Sequence, residues 1–190
     1  MHRLFLLVFF TYVSANTCPE VTPVYDFNFS SYGQGIWYEF ARYSHPLLDD
    51  NSQCTTNEYT LSGNTASSRS SYILNNKELV IYINLKFTPD AAKTGKIVYE
   101  IVRVQEVDTT NSTLRFGEDT ILAVDYDNYV IIQSCQYDEA TKEHKDYGWI
   151  LSRSKNPSEK IRTEIENYIK NSTVLDSSKF LYIRFDDDVC

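Results

Sequence analysis

Histidines, cysteines and a run of aspartates are the residues of this 190-residue chain best suited to chemistry. His45 and His144 stand far apart in sequence. Neither has a Cys or Ser at a spacing that would build a nucleophile with its base. His144 falls in the polar stretch Thr141-Lys142-Glu143-His144, which reads as a solvated hairpin. Asp186-Asp187-Asp188 reads as a solvated acidic tail rather than a calcium site. Cys18, Cys54, Cys135 and Cys190 contain no C-x-x-C, so neither a zinc site nor a redox pair is indicated. No metal ligand and no catalytic group is assigned. The chain reads as a binder rather than an enzyme.

The N-terminus sets the compartment. His2 and Arg3 precede the apolar run Leu4–Phe10, and Val13-Ser14-Ala15 closes it with small residues. That order of charged head, short apolar middle and A-x-A-like exit describes a secretory signal peptide over residues 1–15. The run is too short to span a bilayer. The expected mature protein is a single extracellular domain over residues 16–190. In that setting an even number of cysteines implies two disulfides, with three connectivities open. Asn28, Asn111 and Asn171 each begin an N-x-S/T sequon and are candidate glycosylation sites. The 18 Lys and Arg against 26 Asp and Glu give a net charge of −8, or −9 once Arg3 leaves with the leader. That balance argues against nucleic acid as a partner, which needs a basic face.

The elements that must position any site are strands. Segments rich in Tyr, Val, Ile and Thr recur at Ile36–Tyr43, Cys54–Leu61, Ala66–Leu74, Glu78–Phe87, Lys96–Val107, Thr120–Asp125, Tyr129–Tyr137 and Lys145–Ser152. Turn chemistry separates them at Ser62-Gly63-Asn64, Asn75-Asn76, Pro89-Asp90 and Asp127-Asn128. The expectation is an all-β, eight-stranded antiparallel up-and-down barrel, whose interior has room for one small ligand. One amphipathic helix follows, with Asn156 as N-cap, Pro157 at its first position and Ile161, Ile165, Tyr168 and Ile169 along one stripe. A ninth strand is expected over Lys179–Phe185.

Three blocks in order identify a family resemblance. Gly35-Ile36-Trp37 opens the first strand, Asp125-Tyr126-Asp127-Asn128-Tyr129 precedes the seventh, and Arg153 follows the eighth. Together they resemble the signature of lipocalins. The stretches Cys18-Pro19-Glu20-Val21, Tyr32–Tyr43, Cys135–Glu139, Trp149–Lys155 and Glu166-Asn167-Tyr168 resemble the insect bilin-binding protein and insecticyanin subfamily. The resemblance implies the pairings Cys18–Cys135 and Cys54–Cys190. It implies structural roles for Gly35, Trp37 and Arg153, with Arg153 lying over the Trp37 ring at the closed end. It also implies biliverdin as a noncovalent chromophore, secretion into haemolymph or cuticle and epidermis, and a homo-oligomer among the accessible states.

The expected ligand positions follow from the same comparison and from strand alternation. With Cys135 facing out towards Cys18, Ile132, Ser134 and Gln136 face in. Taking Trp149 as inward brings Lys145 and Tyr147 with it. Tyr99, Ile101 and Arg103 form another inward row, as do Ile81 and Ile83. Ser70 and Tyr72 stand near the rim, and Ser44, His45 and Leu47 belong to a lid loop, Ser44–Asp50. Arg103 and Lys145 are the expected partners of ligand carboxylates. A fatty acid, sterol, carotenoid or odorant is the alternative guest.

Overall fold

The computed structural model describes residues 18–105, 116–138 and 141–190. The expected leader and the sequon at Asn111 lie outside them, as do residues 106–107 of the expected fifth strand. Asn28 and Asn171 are both exposed.

Nine strands form one sheet: β1 (Gly35–Arg42), β2 (Gln53–Ser62), β3 (Thr65–Leu74), β4 (Lys77–Phe87), β5 (Lys96–Val104), β6 (Phe116–Asp125), β7 (Tyr129–Asp138), β8 (Glu143–Ser152) and β9 (Leu181–Tyr182). Each of the first eight pairs antiparallel with the next, and β1 pairs with both β2 and β8, which closes the barrel. Closure leaves no exposed edge among the eight. The β3–β4 turn is Asn75-Asn76, with φ of 52° and 61°. Positive φ at both central residues suits Asn, and the resulting turn twist matches the strands it joins.

Alternation buries one face of each strand inside the barrel. Trp37, Ile81, Leu85, Ile97, Ile121, Val130, Ile132 and Leu151 belong to that interior core. A second core lies outside, where α3 (Glu159–Asn171) presses Ile161, Ile165 and Ile169 against Ala41, Leu122, Ile131 and Ile150. The strands beneath this helix therefore bury both faces. Tyr168 Oη donates to the Leu122 carbonyl at 3.1 Å and fixes the helix to the wall.

Three local expectations are corrected. The helix begins at Glu159, with Ser158 rather than Asn156 as its cap; the Ser158 hydroxyl accepts from Ile161 N–H. This start leaves Pro157 buried outside the helix, its carbonyl accepting from Arg162 Nε at 2.9 Å. The ninth strand is only Leu181–Tyr182, paired with Ala41 and Arg42. Two single helical turns, α1 (Phe29–Tyr32) and α2 (Ala91–Thr94), also join the fold; the expected organisation had neither.

Both disulfides match the expected pairing. Cys18–Cys135 ties the N-terminal segment to β7, and Cys54–Cys190 ties the C-terminus to β2.

Candidate functional site

The closed end of the barrel is built on Trp37. Its indole lies fully buried and donates from Nε1 to the Tyr32 carbonyl at 2.9 Å. The Arg153 guanidinium covers the ring, with Cζ 3.5 Å from its centroid. The same group donates to four carbonyls: Tyr126 from Nε, Gln34 and Ile36 from Nη1, and Ser31 from Nη2, at 2.9–3.1 Å. Two of these acceptors flank Gly35, whose φ of +73° turns both carbonyls towards one nitrogen. A side chain at that φ would be strained, which explains why glycine opens this motif. Phe27, Tyr32 and Phe87 fill the space around the indole.

Above this floor lies a cavity of about 120 Å³ with walls of two characters. Ile81, Ile83, Leu85, Ile101 and Ile132 supply an aliphatic side. Glu39, Thr55, Asn57 and Ser70 supply a polar side from β1, β2 and β3. Ser70 Oγ donates to Asn57 Oδ1 at 2.5 Å, and the Tyr32 and Tyr59 hydroxyls lie 3.4 Å apart. Burial pushes the Tyr59 phenol up to about 12, so it stays neutral. Tyr99 lies over Gly117, its partner on the adjacent strand β6, where a Cβ would collide with its ring and hydroxyl. Gln136 Nε2 donates to the Tyr99 hydroxyl at 3.1 Å.

A single buried cation organises the mouth. Arg42 is wholly buried and donates to Glu39 Oε1 at 3.0 Å, to the Asp49 carbonyl at 2.6 Å and to Ser52 Oγ at 3.0 Å. It thereby pins both the inward carboxyl and the loop that follows β1. Within that loop His45 is buried, 4.7 Å from the Tyr147 ring and 5.7 Å from Trp149. Desolvation, with Arg42 adding to it, lowers the His45 pKa to about 4. The ring is therefore neutral at pH 7, and its Nδ1 accepts from Leu47 N–H at 3.2 Å. Leu47 and Leu48 close the top of the cavity.

The expected site residues divide clearly. His45, Leu47, Ser70, Tyr72 and Tyr99 line the cavity together with Ile81, Ile83, Ile101 and Ile132. Tyr147 is buried behind His45, and Ser134 is buried with its hydroxyl donating to the Glu118 carbonyl at 2.8 Å. Gln136 is half-buried and reaches the site through Tyr99. Three expectations are corrected. Ser44 is exposed on the outer side of the loop. Lys145 is exposed at the rim and does not line the cavity. Arg103 points outward and stacks over Tyr82, Cζ 5.9 Å from the ring. The reason is a bulge: Ile83 pairs with Ile101 but Tyr82 with Arg103, so Val102 is an extra residue and alternation breaks there.

Sequence reasoning missed Glu39, Arg42, Thr55, Asn57, Tyr59 and Asp119. Counting back by twos from the apolar Ile121 would have placed Asp119 inside, but the expected strand began only at Thr120.

Comparison with known proteins decides the family. Residues 34–186 match the model of the lipocalin / cytosolic fatty-acid binding protein family. The chain belongs to that family. This lipocalin is 32% identical to bilin-binding protein of Pieris brassicae over 195 residues, covering 100% of this chain and 98% of that one. It is 33% identical to insecticyanin-B of Manduca sexta over 183 residues, covering 91% and 81%. Its fold superposes on the solved structure of insecticyanin from the tobacco hornworm Manduca sexta with a TM-score of 0.74 at 30% identity, covering 92% and 89% of the two chains. Lipocalins of this kind are carriers of small hydrophobic ligands.

Proposed function

We propose that this lipocalin is a secreted carrier that holds a linear tetrapyrrole pigment, biliverdin foremost, noncovalently in the barrel for coloration, storage or photoprotection. The observation that carries the reading is full-length similarity to a protein named for bilin binding, joined to a barrel whose one aliphatic and one polar wall suit a flat conjugated molecule. All four cysteines are committed to disulfides, so no thiol remains to attach a chromophore covalently. The two disulfides also suit an extracellular protein. Its role is binding without catalysis.

The lining fits such a guest in chemistry. Glu39, Thr55, Asn57 and Asp119 offer polar atoms to it, and the isoleucines and tyrosines offer flat apolar contact. In volume, the lid-down cavity of about 120 Å³ is smaller than the ~300 Å³ at which sites for such molecules begin. A guest of that size therefore needs lining side chains to move apart, Leu47 and Leu48 of the loop among them. Ligand carboxylates would then lie at the opened mouth, in solvent, rather than on Arg103.

The test is titration of the refolded mature protein with biliverdin, followed by absorption in the visible. A one-to-one end point with shifted, sharpened bands is expected, along with a coloured protein from its native source. A colourless native protein that leaves biliverdin spectra unchanged would sink the proposal. The small lid-down volume favours a slimmer guest, such as a fatty acid, as the second reading. Displacement of a bound apolar dye by palmitate but not by biliverdin would establish it.

A further inference from the structure

The cavity holds one carboxyl that nothing described so far explains. Asp119 sits on β6, four strands from β2 in the closed order and so across the barrel from the polar wall. It lines the cavity, and its Oδ1 is sealed from solvent without a hydrogen-bond partner. We propose that Asp119 is the acceptor for a ligand nitrogen, its Oδ1 taking a hydrogen bond from an N–H group on an otherwise apolar guest. The inference rests on the carrier reading above and specifies which atoms of the guest the pocket selects.

None of the described groups around Asp119 gives its Oδ1 a hydrogen bond. Ser134 is the neighbouring hydroxyl, but its hydrogen is already given to the Glu118 carbonyl at 2.8 Å. The same hydroxyl lowers the Asp119 pKa as a hydrogen-bonding neighbour, and Oδ1 is still left without a partner. Tyr32, Tyr59 and Tyr99 are the other titratable groups around it, from α1, β2 and β5. The first two share one hydroxyl–hydroxyl contact, and the third accepts from Gln136. No cation is among the groups acting on Asp119; besides Ser134 the other is Glu118, of like charge. Desolvation accordingly pushes the Asp119 pKa up to about 7.

A buried acceptor without a donor is a standing cost, and an apolar guest such as a hydrocarbon tail would not relieve it. A guest with a carboxylate at this depth would make it worse. A pyrrole-type N–H relieves it, and so does an ammonium group, for which the surrounding tyrosine faces add cation–π attraction. The shared chemistry is a donor nitrogen inside an apolar frame. A linear tetrapyrrole and an amphiphilic amine are its two sources.

The experiment uses the full mature chain, with Asp119→Leu to remove the acceptor and Asp119→Asn to remove only the charge. Each protein is first loaded with the neutral dye N-phenyl-1-naphthylamine. It is then titrated with decylamine, decanoic acid and, separately, biliverdin. The wild type is expected to bind decylamine about tenfold more tightly than decanoic acid. Asp119→Leu is expected to erase that preference, to weaken biliverdin about tenfold and to displace its visible band. Asp119→Asn should lose the amine preference but keep biliverdin, because an amide oxygen still accepts from a pyrrole N–H. Biliverdin sensitivity without an amine preference assigns the nitrogen to a tetrapyrrole; the reverse assigns it to an amine. Equal wild-type affinity for amine and acid, with biliverdin bound alike by wild type and Asp119→Leu, overturns the inference and leaves the carrier intact. Failure of the wild type to bind dye, biliverdin or either aliphatic probe overturns the carrier reading itself.

Discussion

Replacing Arg153 by Met tests whether the closed end is structural. Methionine keeps an unbranched apolar stem over the Trp37 indole, so what is lost is the guanidinium. That group makes one cation–π contact at 3.5 Å and four hydrogen bonds to carbonyls. The Gln34 and Ile36 carbonyls are exposed and can return to water, so their loss is nearly neutral. The Tyr126 and Ser31 carbonyls are part-buried, and losing a donor there costs about 1 kcal/mol each. The cation–π contact adds about 1 kcal/mol, which brings the total to about 3 kcal/mol. In a domain of this size that lowers Tm by roughly 6–12 °C. Urea unfolding with an unchanged m-value and a thermal melt measure the loss, and biliverdin titration of the folded fraction measures the site. The expected result is lower stability with Kd within a factor of two. Arg153→Lys should recover only the cation–π share, because an ammonium cannot span four carbonyls. A loss below about 1 kcal/mol, or a selective loss of binding with stability intact, would refute the assignment.

Four further outcomes follow from the same geometry. The His45 pKa lies below its ordinary value of 6.5, at about 4, so between these pH values the unfolded chain takes up a proton that the folded one refuses. Stability should therefore fall as pH drops from 6.5 to 4, by up to ~3 kcal/mol, and His45→Phe should remove that part of the slope in urea titrations. Asp119 has the opposite sign: raised from 3.8 to about 7, it costs stability as pH rises through that window. Asp119→Asn should match the wild type near pH 4 and exceed it at pH 8 by at most ~4 kcal/mol; equal stability at both pH values would contradict its burial. Gly117→Ala forces the Tyr99 ring off its seat into the cavity, so a loss of ~1–3 kcal/mol and weaker apolar-dye binding are expected. Cys190→Ser opens a loop of 136 residues, worth at most ~5 kcal/mol in the chain-entropy account, and its melt should fall between those of the oxidised and the fully reduced wild type, because Cys18–Cys135 still closes 117 residues.

Much of this molecule is legible in its sequence because barrels are written in local chemistry. Alternation, turn residues and an even cysteine count point to eight closed strands, and the blocks around Gly35-Ile36-Trp37 and Arg153 carry the closed end with them. The aliphatic wall at Ile81 and Ile83 follows from a period of two. What only the tertiary structure decided lies where that period fails or where charges meet across strands. One extra residue at Val102 sends Arg103 outside, and no local signal distinguishes that bulge from a regular strand. Arg42 is an ordinary strand residue in sequence; its burial is set by Glu39, Asp49 and Ser52 converging on it from strand and loop. Asp119 falls just before the sixth strand as the sequence places it, at Thr120–Asp125. It becomes the pocket's open acceptor only because closing the barrel turns its face inward and brings Ser134 and the tyrosines around it.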